Sequence, residues 1–365
     1  MKKLVNTKSK EELIKDLEKE SFRRTTLSFY KYVKIANPKE MRDLLFAKFE
    51  ELGCLGRIYI AKEGINAQMN VPEHNFEKFD KFIQALPEFS GVPYKIAVEE
   101  KPVKLEENPT SLKLRGTKNF SSFLKLIVKV RPKIVADGLD DKTFNPANTG
   151  EYATAEDVNQ MIEKGATVID MRNFYEAEIG HFEGAKIMPV DTFREQLAKV
   201  DEMFRDEKDQ EVLLYCTGGI RCEKASAWMK HNGFKNVKHI KGGVIDYARQ
   251  VKEKGLPNKF LGKNFVFDER LGEKIGDEII SVCHLCDKNK SDEHRHCRNL
   301  NCHVLHLSCD NCLKKLNGYC SRFCQVCDKF PAKMNSFLIR RDRKQQHGNQ
   351  YKKNYLRRKA SEIIK

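Results

Sequence analysis

The residues best suited to chemistry form a short loop that contains a cysteine, two glycines and an arginine. In VLLYCTGGIRCEKASAWM, an apolar run indicates a buried strand and the last eight residues indicate a helix. The connecting loop consists of Cys216, Thr217, Gly218, Gly219, Ile220 and Arg221. The glycines let backbone N–H groups converge on one point, and the helix N-terminus and Arg221 add positive charge there. We therefore predict that Cys216 ionises readily and acts as a nucleophile.

Two cysteines at this loop have alternative interpretations. Cys216 could be a buried residue at the end of a strand, but the glycines and Arg221 favour the catalytic interpretation. Cys222 follows the loop directly and is placed either to resolve a persulfide or disulfide on Cys216 or to pack on a helix face. The predicted catalytic residues are therefore Cys216 and Arg221.

A second group of cysteines has the spacing of metal ligands. Nine of the twelve cysteines fall between Cys283 and Cys327, in successive close pairs, and such pairs let one turn offer two thiolates to a tetrahedral Zn²⁺. We predict two structural zinc sites, with the first and third pairs sharing one ion and the second and fourth the other. The predicted ligands are Cys283, Cys286, Cys297, Cys302, Cys309, Cys312, Cys324 and Cys327. An iron–sulfur cluster, or a thiol-rich loop region without metal, is also compatible with this spacing.

The sequence argues against a membrane-spanning protein and against a secreted one. Hydrophobic residues make up 40% of the chain and charged residues 33%, and no stretch approaches the roughly 18 apolar residues of a membrane span. Charged residues interrupt the N-terminal segment MKKLVNTKSKEELIKDLEKE, which therefore lacks the apolar region of a secretory signal. We expect a cytoplasmic protein, in which cysteines stay reduced and do not form a disulfide framework.

The charge of the chain favours a polyanionic partner. The net charge is +15, and ten lysines and arginines lie between Arg340 and Lys365 against Asp342 and Glu362. Lysine and arginine gain affinity for nucleic acid by displacing counterions from phosphates. Tyr351 and Tyr355 lie among these charges and could stack on bases. The alternatives are a solvated basic surface and, for the tail, an ordered helix.

The elements around these motifs predict a multidomain α/β and α+β chain. The first half reads as strand, helix, strand, strand, helix, strand, the order of a ferredoxin-like, or acylphosphatase-like, sandwich. From residue 154, short apolar strands alternate with helices, which implies a parallel sheet covered on both faces. The predicted regions are a helical lead-in (1–24), the ferredoxin-like domain (25–131), a linker (132–153), the α/β domain (154–255), the cysteine-rich module (256–335) and a basic tail (336–365).

The α/β region resembles the rhodanese superfamily. The resemblance rests on the Cys216 loop, on the later segment HIKGGVIDY and on the earlier segment DMRNFYEAEIGHFEGAKIMP. In that earlier segment the matching residues are Asp170, Arg172, Glu176, Gly180, His181, Gly184, Ala185 and Pro189. The resemblance implies that the loop cysteine can carry a persulfide. We interpret Asp170, Arg172 and His181 as residues that organise the domain and take no part in the chemistry.

The whole arrangement resembles the tRNA uridine hydroxylase family. The likeness rests on GRIYIAKEGINAQMNVP, the rhodanese centre and DERLGEKIGDEIISVCHLC. It implies 5-hydroxylation of the wobble uridine of tRNA, with molecular oxygen as co-substrate and Cys216 essential. Oxygen activation normally recruits a redox metal or a flavin, and the sequence identifies neither. A sulfurtransferase that carries sulfur on Cys216 is therefore the alternative, and a noncatalytic RNA-binding adaptor is the third interpretation.

Overall fold

An antiparallel sheet with helices on one face forms the N-terminal region. The computed structural model describes residues 8, 10–97, 122–140, 144–188 and 190–347. The elements are α1 (Lys10–Glu18), β1 (Arg24–Tyr32), α2 (Pro38–Glu51), β2 (Leu55–Ala61), β3 (Gly64–Pro72), α3 (Phe76–Ala85), β4 (Lys95–Ile96) and β5 (Leu126–Val130). The sheet order is β4-β1-β3-β2-β5, with β5 parallel to β2. The first four strands confirm the ferredoxin-like order.

The core of this region lies between the sheet and helices α2 and α3. Asn37 caps α2 by accepting hydrogen bonds from the N–H groups of the first turn, and Pro38 fits there because that turn needs no donor. Leu45 and Phe49 are fully buried, whereas Leu44, which the apolar spacing places on the same face, is 46% exposed. Alternate residues of β1 divide between two faces, so Leu27 and Phe29 enter the core and Tyr30 points the other way.

A parallel sheet forms the central region. Its elements are β6 (Glu151–Ala153), α4 (Ala155–Glu163), β7 (Thr167–Asp170), α5 (Phe174–Ala177), β8 (Gly180–Phe182), β9 (Lys186–Ile187), α6 (Phe193–Met203), β10 (Glu211–Tyr215), α7 (Ile220–His231), β11 (Asn236–Ile240) and α8 (Gly243–Lys254). Five strands pair in the order β6-β11-β10-β7-β9, so the sheet already begins within the predicted linker. Pro189 lies outside the described residues.

Both faces of this sheet are covered, as the strand composition predicts. Val212 and Leu214 of β10 belong to one apolar cluster, and Leu213 and Tyr215 belong to another. Because successive side chains of a strand point to opposite faces, the two clusters lie on the two sides of the sheet. The buried end of β10 therefore fixes the position of Cys216, the next residue.

The C-terminal region has short elements and little apolar core. They are β12 (Phe260–Asn264), β13 (Glu273–Lys274), β14 (His294–His296), β15 (Leu305–Leu307), α9 (Asp310–Leu316), α10 (Arg322–Cys327) and α11 (Ala332–His347). Four of the six buried residues in its main cluster are cysteines, the other two being Val304 and Ile339. The tail therefore begins as a helix that contributes Ile339 to this cluster. Its remainder, with Tyr351 and Tyr355, lies outside the described residues.

No helix in the described part of the chain is long and apolar enough to cross a membrane.

Candidate active site

The Cys216 loop follows the end of β10, and the last two residues of the predicted loop, Ile220 and Arg221, form the start of α7. The Gly219 N–H donates a hydrogen bond to Cys216 Sγ at 3.1 Å. Gly219 has a φ of 93°, a left-handed conformation that favours glycine. A Cβ atom there would also lie 2.7 Å from Tyr30 Oη, so the position has no room for a larger residue. The glycine thus supplies both the turn and a donor for the sulfur.

The surroundings of Cys216 stabilise its thiolate. Complete burial acts to raise the pKa, but a hydrogen bond from the Cys222 side chain and the charge of Arg221 act against it. Backbone N–H groups of Cys222 and Arg221 lower the pKa further, to about 5. Cys216 is therefore a thiolate at neutral pH, and a thiolate is the nucleophilic form of cysteine.

Arg221 is held in place by a buried carboxylate. Its guanidinium donates to both oxygens of Glu176, at 2.6 and 2.8 Å. The Thr217 hydroxyl donates to Glu176 Oε1 at 3.1 Å, which ties the loop to the same carboxylate. Such a bidentate pair fixes the cation beside the sulfur.

Cys222 and the polar residues around Asp170 make contacts that stabilise the domain and the loop. Burial raises the pKa of the Cys222 thiol, so it stays protonated and donates to the Cys216 sulfur. Arg172 forms a buried ion pair with Asp170 at 2.7 Å, and the Tyr215 hydroxyl donates to Asp170 at 2.7 Å. His181 Nδ1 lies 2.9 Å from the Ala177 carbonyl oxygen. These contacts support an organising function for Asp170, Arg172 and His181.

The N-terminal sheet covers the Cys216 loop, which the sequence motifs do not reveal. The Tyr30 hydroxyl donates to Glu223 at 3.1 Å, and the Tyr32 hydroxyl donates to the Ile220 carbonyl oxygen at 3.0 Å. Lys95 of β4 lies over the Tyr30 ring, 4.0 Å from its centre. Cys216 consequently has no exposed surface. The signal available in the sequence was the alternation in β1, which leaves two tyrosines on the face opposite the helices.

A buried lysine joins the two sheets at this contact. Lys224 of α7 lies 2.6 Å from Asp137 and 2.9 Å from Glu63, and its side chain is 1% exposed. A lysine buried to this degree requires its carboxylate partners, because an unpaired charge in the interior is strongly destabilising. The segment of the predicted linker around Asp137 is thus fixed between the two domains.

A cavity of about 40 Å³ lies beside the loop. Thr217 and Phe267 border it on one side, and Ser28, Gln68 and Lys95 border it on the N-terminal side. A pocket of this volume is large enough for more than one water molecule, since about 10 to 15 Å³ of such volume holds one.

The cysteine-rich region brings eight thiols into two groups of four. Within each group the sulfur atoms lie within 4.8 Å of one another. The groups are Cys283, Cys286, Cys309 and Cys312, and Cys297, Cys302, Cys320 and Cys324. The first group has the predicted composition, and the first pair joins the third and the second joins the fourth, as expected. Both groups could hold a metal ion.

The fourth pair differs from the prediction, because Cys320 replaces Cys327. Cys320 precedes Ser321, whose side chain accepts a hydrogen bond from the Cys324 N–H and begins α10. This cap folds the chain so that Cys320 and Cys324 both face the second pair. Cys327 lies at the end of α10 and is buried in the apolar cluster with Ile339. Its thiol is a packing group, and the sequence spacing alone did not distinguish the two cysteines.

The folds and the sites together define a rhodanese-type protein with an additional domain at each end. The profile described as "Rhodanese-like domain" matches residues 154–250. The profile "UPF0176 acylphosphatase like domain" matches residues 24–134, and "Rhodanase C-terminal" matches residues 261–325.

Three curated relatives carry one name, "tRNA uridine(34) hydroxylase". The protein of Photorhabdus laumondii is 48% identical over 88% of this chain and 87% of its own length. The protein of Leptospira interrogans is 46% identical over 99% of this chain and 93% of its own. The protein of Salmonella heidelberg is 50% identical over 88% of this chain and 87% of its own. The chain therefore belongs to the tRNA uridine(34) hydroxylase family.

Proposed function

We propose that this protein is an oxygen-dependent tRNA hydroxylase that modifies C5 of the wobble uridine, with Cys216 as its essential nucleophile. The observation that carries the proposal is the Cys216 thiolate, whose pKa is lowered to about 5 in a loop also held by Arg221. The relatives named for hydroxylation of uridine 34 supply the substrate and the reaction. Molecular oxygen is the co-substrate that this reaction implies.

The two cysteine groups favour zinc with a structural function. A zinc–sulfur distance of about 2.3 Å places the sulfurs of a tetrahedral site about 3.8 Å apart. Cys302 and Cys320 lie 3.7 Å apart, and Cys286 and Cys309 lie 4.0 Å apart. Four thiolates fill the coordination of the ion and leave no position for oxygen. The proposed ions would therefore stabilise the module, and oxygen would be activated elsewhere.

The substrate is a large polyanion, which fits the net charge of +15. We place the protein in the cytoplasm, with the basic C-terminal tail contributing phosphate contacts. Such contacts hold the tRNA without selecting the nucleotide.

Mass analysis of tRNA nucleosides tests the reaction. A strain lacking the gene should lose 5-hydroxyuridine derivatives at position 34 and regain them when the wild-type chain is supplied. The Cys216→Ser variant should not restore them. Loss of thiolated nucleosides, with hydroxylation intact, would instead identify a sulfurtransferase, and an unchanged nucleoside profile would contradict both enzymes.

A further inference from the structure

One cation near the catalytic sulfur has no carboxylate partner among the described residues. Lys95 belongs to the N-terminal sheet, is 9% exposed, and has neither a hydrogen bond nor an ion pair to its ammonium group within the described part of the chain. Its ammonium group instead lies over the Tyr30 ring, in a cation–π contact at 4.0 Å. Lys224, the other buried lysine at this contact, has two carboxylates. Lys95 therefore differs from a lysine that holds the domains together.

Lys95 lies beside the loop that carries the reacting sulfur. Its side chain borders the cavity together with Thr217, and its Cδ lies 4.0 Å from the position that a Cβ would take on Gly218. Its nitrogen lies 4.0 Å from the centre of the Tyr30 ring, whose hydroxyl reaches over Gly219. The cavity is thus bordered by the thiolate loop on one side and by this cation on the other.

Other charges around the ammonium keep it able to exchange a proton. Burial lowers the pKa of Lys95 to about 8, although the negative charges of Cys216, Asp246 and Glu223 act to raise it. Arg249 lowers it further. Near neutral pH the group is therefore mostly protonated but gives up its proton more easily than an exposed lysine does.

Addition of a thiolate to uracil creates a negative charge that such a cation can stabilise. The C5 carbon becomes strongly nucleophilic when a thiolate adds to C6, because the electrons of the C5=C6 double bond then move toward the C4 carbonyl. The negative charge develops on O4, several ångströms from the sulfur, and a fixed cation at that position stabilises it. Arg221 cannot supply this second charge as well, since both its ends are bound to Glu176.

We propose that Lys95 is a catalytic residue that receives the charge on O4 when Cys216 adds to C6 of the wobble uracil. In this step the Sγ–C6 bond forms, the C5=C6 π bond breaks, and its electron pair delocalises onto O4, to which Lys95 donates a proton. The reverse step restores the double bond and releases the thiolate. No oxidant is consumed. The inference rests on the proposed function, because it takes uridine 34 as the substrate.

Hydrogen exchange at C5 tests this step without oxygen. While the adduct exists, C5 can gain a proton from solvent and lose one, so a tRNA transcript with U34 should incorporate one deuterium in D₂O under anaerobic conditions. Fragment mass spectrometry of the anticodon loop measures the exchange. Wild-type protein should catalyse it, and Cys216→Ser should not. A wild-type protein that hydroxylates U34 in air but shows no anaerobic exchange would overturn the addition to C6.

Variants of Lys95 separate its charge from its packing. Lys95→Met keeps the aliphatic stem against Tyr30 and should slow exchange about 100-fold, the typical effect of removing one stabilising donor. Lys95→Arg should recover part of the rate. Lys129→Met, on the exposed face of β5 in the same sheet, is the matched control and should exchange at the wild-type rate. If Lys95→Met also exchanges at that rate, Lys95 has no part in the reaction.

The two proposals fail in different ways. If the protein exchanges hydrogen at C5 but does not hydroxylate U34 in air, the proposed function is contradicted and the addition step is supported. If it hydroxylates U34 without exchange, the addition step is contradicted and the proposed function is supported. Thermal melting of each Lys95 variant shows whether it is folded, and a folded Lys95→Met protein with wild-type exchange is decisive against the inference.

Discussion

Cysteine sulfur occurs in two contrasting surroundings in this molecule. Cys216 is bordered by backbone N–H groups, by the Cys222 thiol and by Arg221, and these lower its pKa to about 5. The eight cysteines of the two groups in the C-terminal region instead lie close to other sulfurs, as between Cys297 and Cys324 at 3.4 Å. A thiolate surrounded by donors is available to a substrate, whereas four thiols in contact form a site for a metal ion.

The same two regions also differ in what holds them together. The sheet that carries Cys216 has an apolar cluster on each face. The C-terminal region contributes to two small clusters, one made mostly of cysteines and one that includes Phe265, Leu305 and Leu307. Removing a sulfur should therefore affect activity in the first region and folding in the second.

Substitution of Cys216 is expected to have the largest effect. Cys216→Ser should lower hydroxylation by at least about 1000-fold, because removal of a nucleophile leaves only binding and positioning. The melting temperature should stay within roughly 2 °C of the wild type, since volume and polarity change little. Cys54→Ser is the control: Cys54 is buried in the N-terminal core between α2 and β2, and burial raises its pKa to about 12. An active Cys216→Ser protein would contradict the nucleophilic assignment.

Metal removal should affect only the cysteine-rich region. We expect two zinc ions per chain, and a chelator should unfold residues after about 280 while the two sheets stay folded, because metal binding supplies the folding free energy there. Metal analysis with limited proteolysis measures both effects. Cys320→Ala should lose one ion of the two, and Cys327→Ala should keep both. If Cys327→Ala lost one ion and Cys320→Ala kept both, Cys327 and not Cys320 would be the metal ligand.

Arg221 should control the ionisation of Cys216 by charge. Arg221→Ala removes a cation and leaves Glu176 facing the sulfur, so both changes raise the Cys216 pKa, by on the order of 1 to 3 pH units. Iodoacetamide labelling of wild-type Cys216 should rise through pH 5 and be constant at pH 7, whereas the variant should still be rising there. Glu176→Gln should shift the labelling curve to lower pH. Identical curves for wild type and Arg221→Ala would show that this cation does not act on the sulfur.

The basic tail should have the smallest effect. The sequence alone suggests truncation after Leu338, but that cut would remove the buried Ile339, so truncation after His347 is the better test. It should weaken binding of substrate and non-substrate tRNA equally, by a few-fold. The slope of log affinity against log salt should fall by roughly 0.7 to 0.9 for each phosphate that the shortened chain no longer binds. An unchanged slope in filter binding would exclude an interaction between this segment and RNA.

The sequence could predict the features that are local. The Cys216 loop connects a strand and a helix that follow each other in sequence, so the order of residue types predicts its position, although Ile220 and Arg221 already belong to the helix. The strand order of the N-terminal sheet followed from the regular succession of strands and helices, and the paired spacing of the cysteines predicted two groups of four. The choice between Cys320 and Cys327 did not, because it depends on the Ser321 cap and on the burial of Ile339 beside Cys327.

Features that depend on the packing of distant segments were not predicted. Tyr30 and Lys95 reach the loop across more than a hundred residues of sequence, and neither belongs to a motif. The partners of Lys224, Glu63 and Asp137, likewise come from two separate segments. Periodicity identifies the face on which a residue lies, but it does not identify what packs against that face.

The burial of Cys216 also bears on the survival of the enzyme in air. A thiolate is the form of cysteine that peroxides convert to sulfenic and then to irreversible acids. Cys216 has no exposed surface, and Tyr30 and Tyr32 close the loop from the neighbouring sheet. The contact between the sheets therefore shields the sulfur while no tRNA is bound. An enzyme that uses oxygen can in this way keep its most oxidisable atom reduced between one substrate and the next.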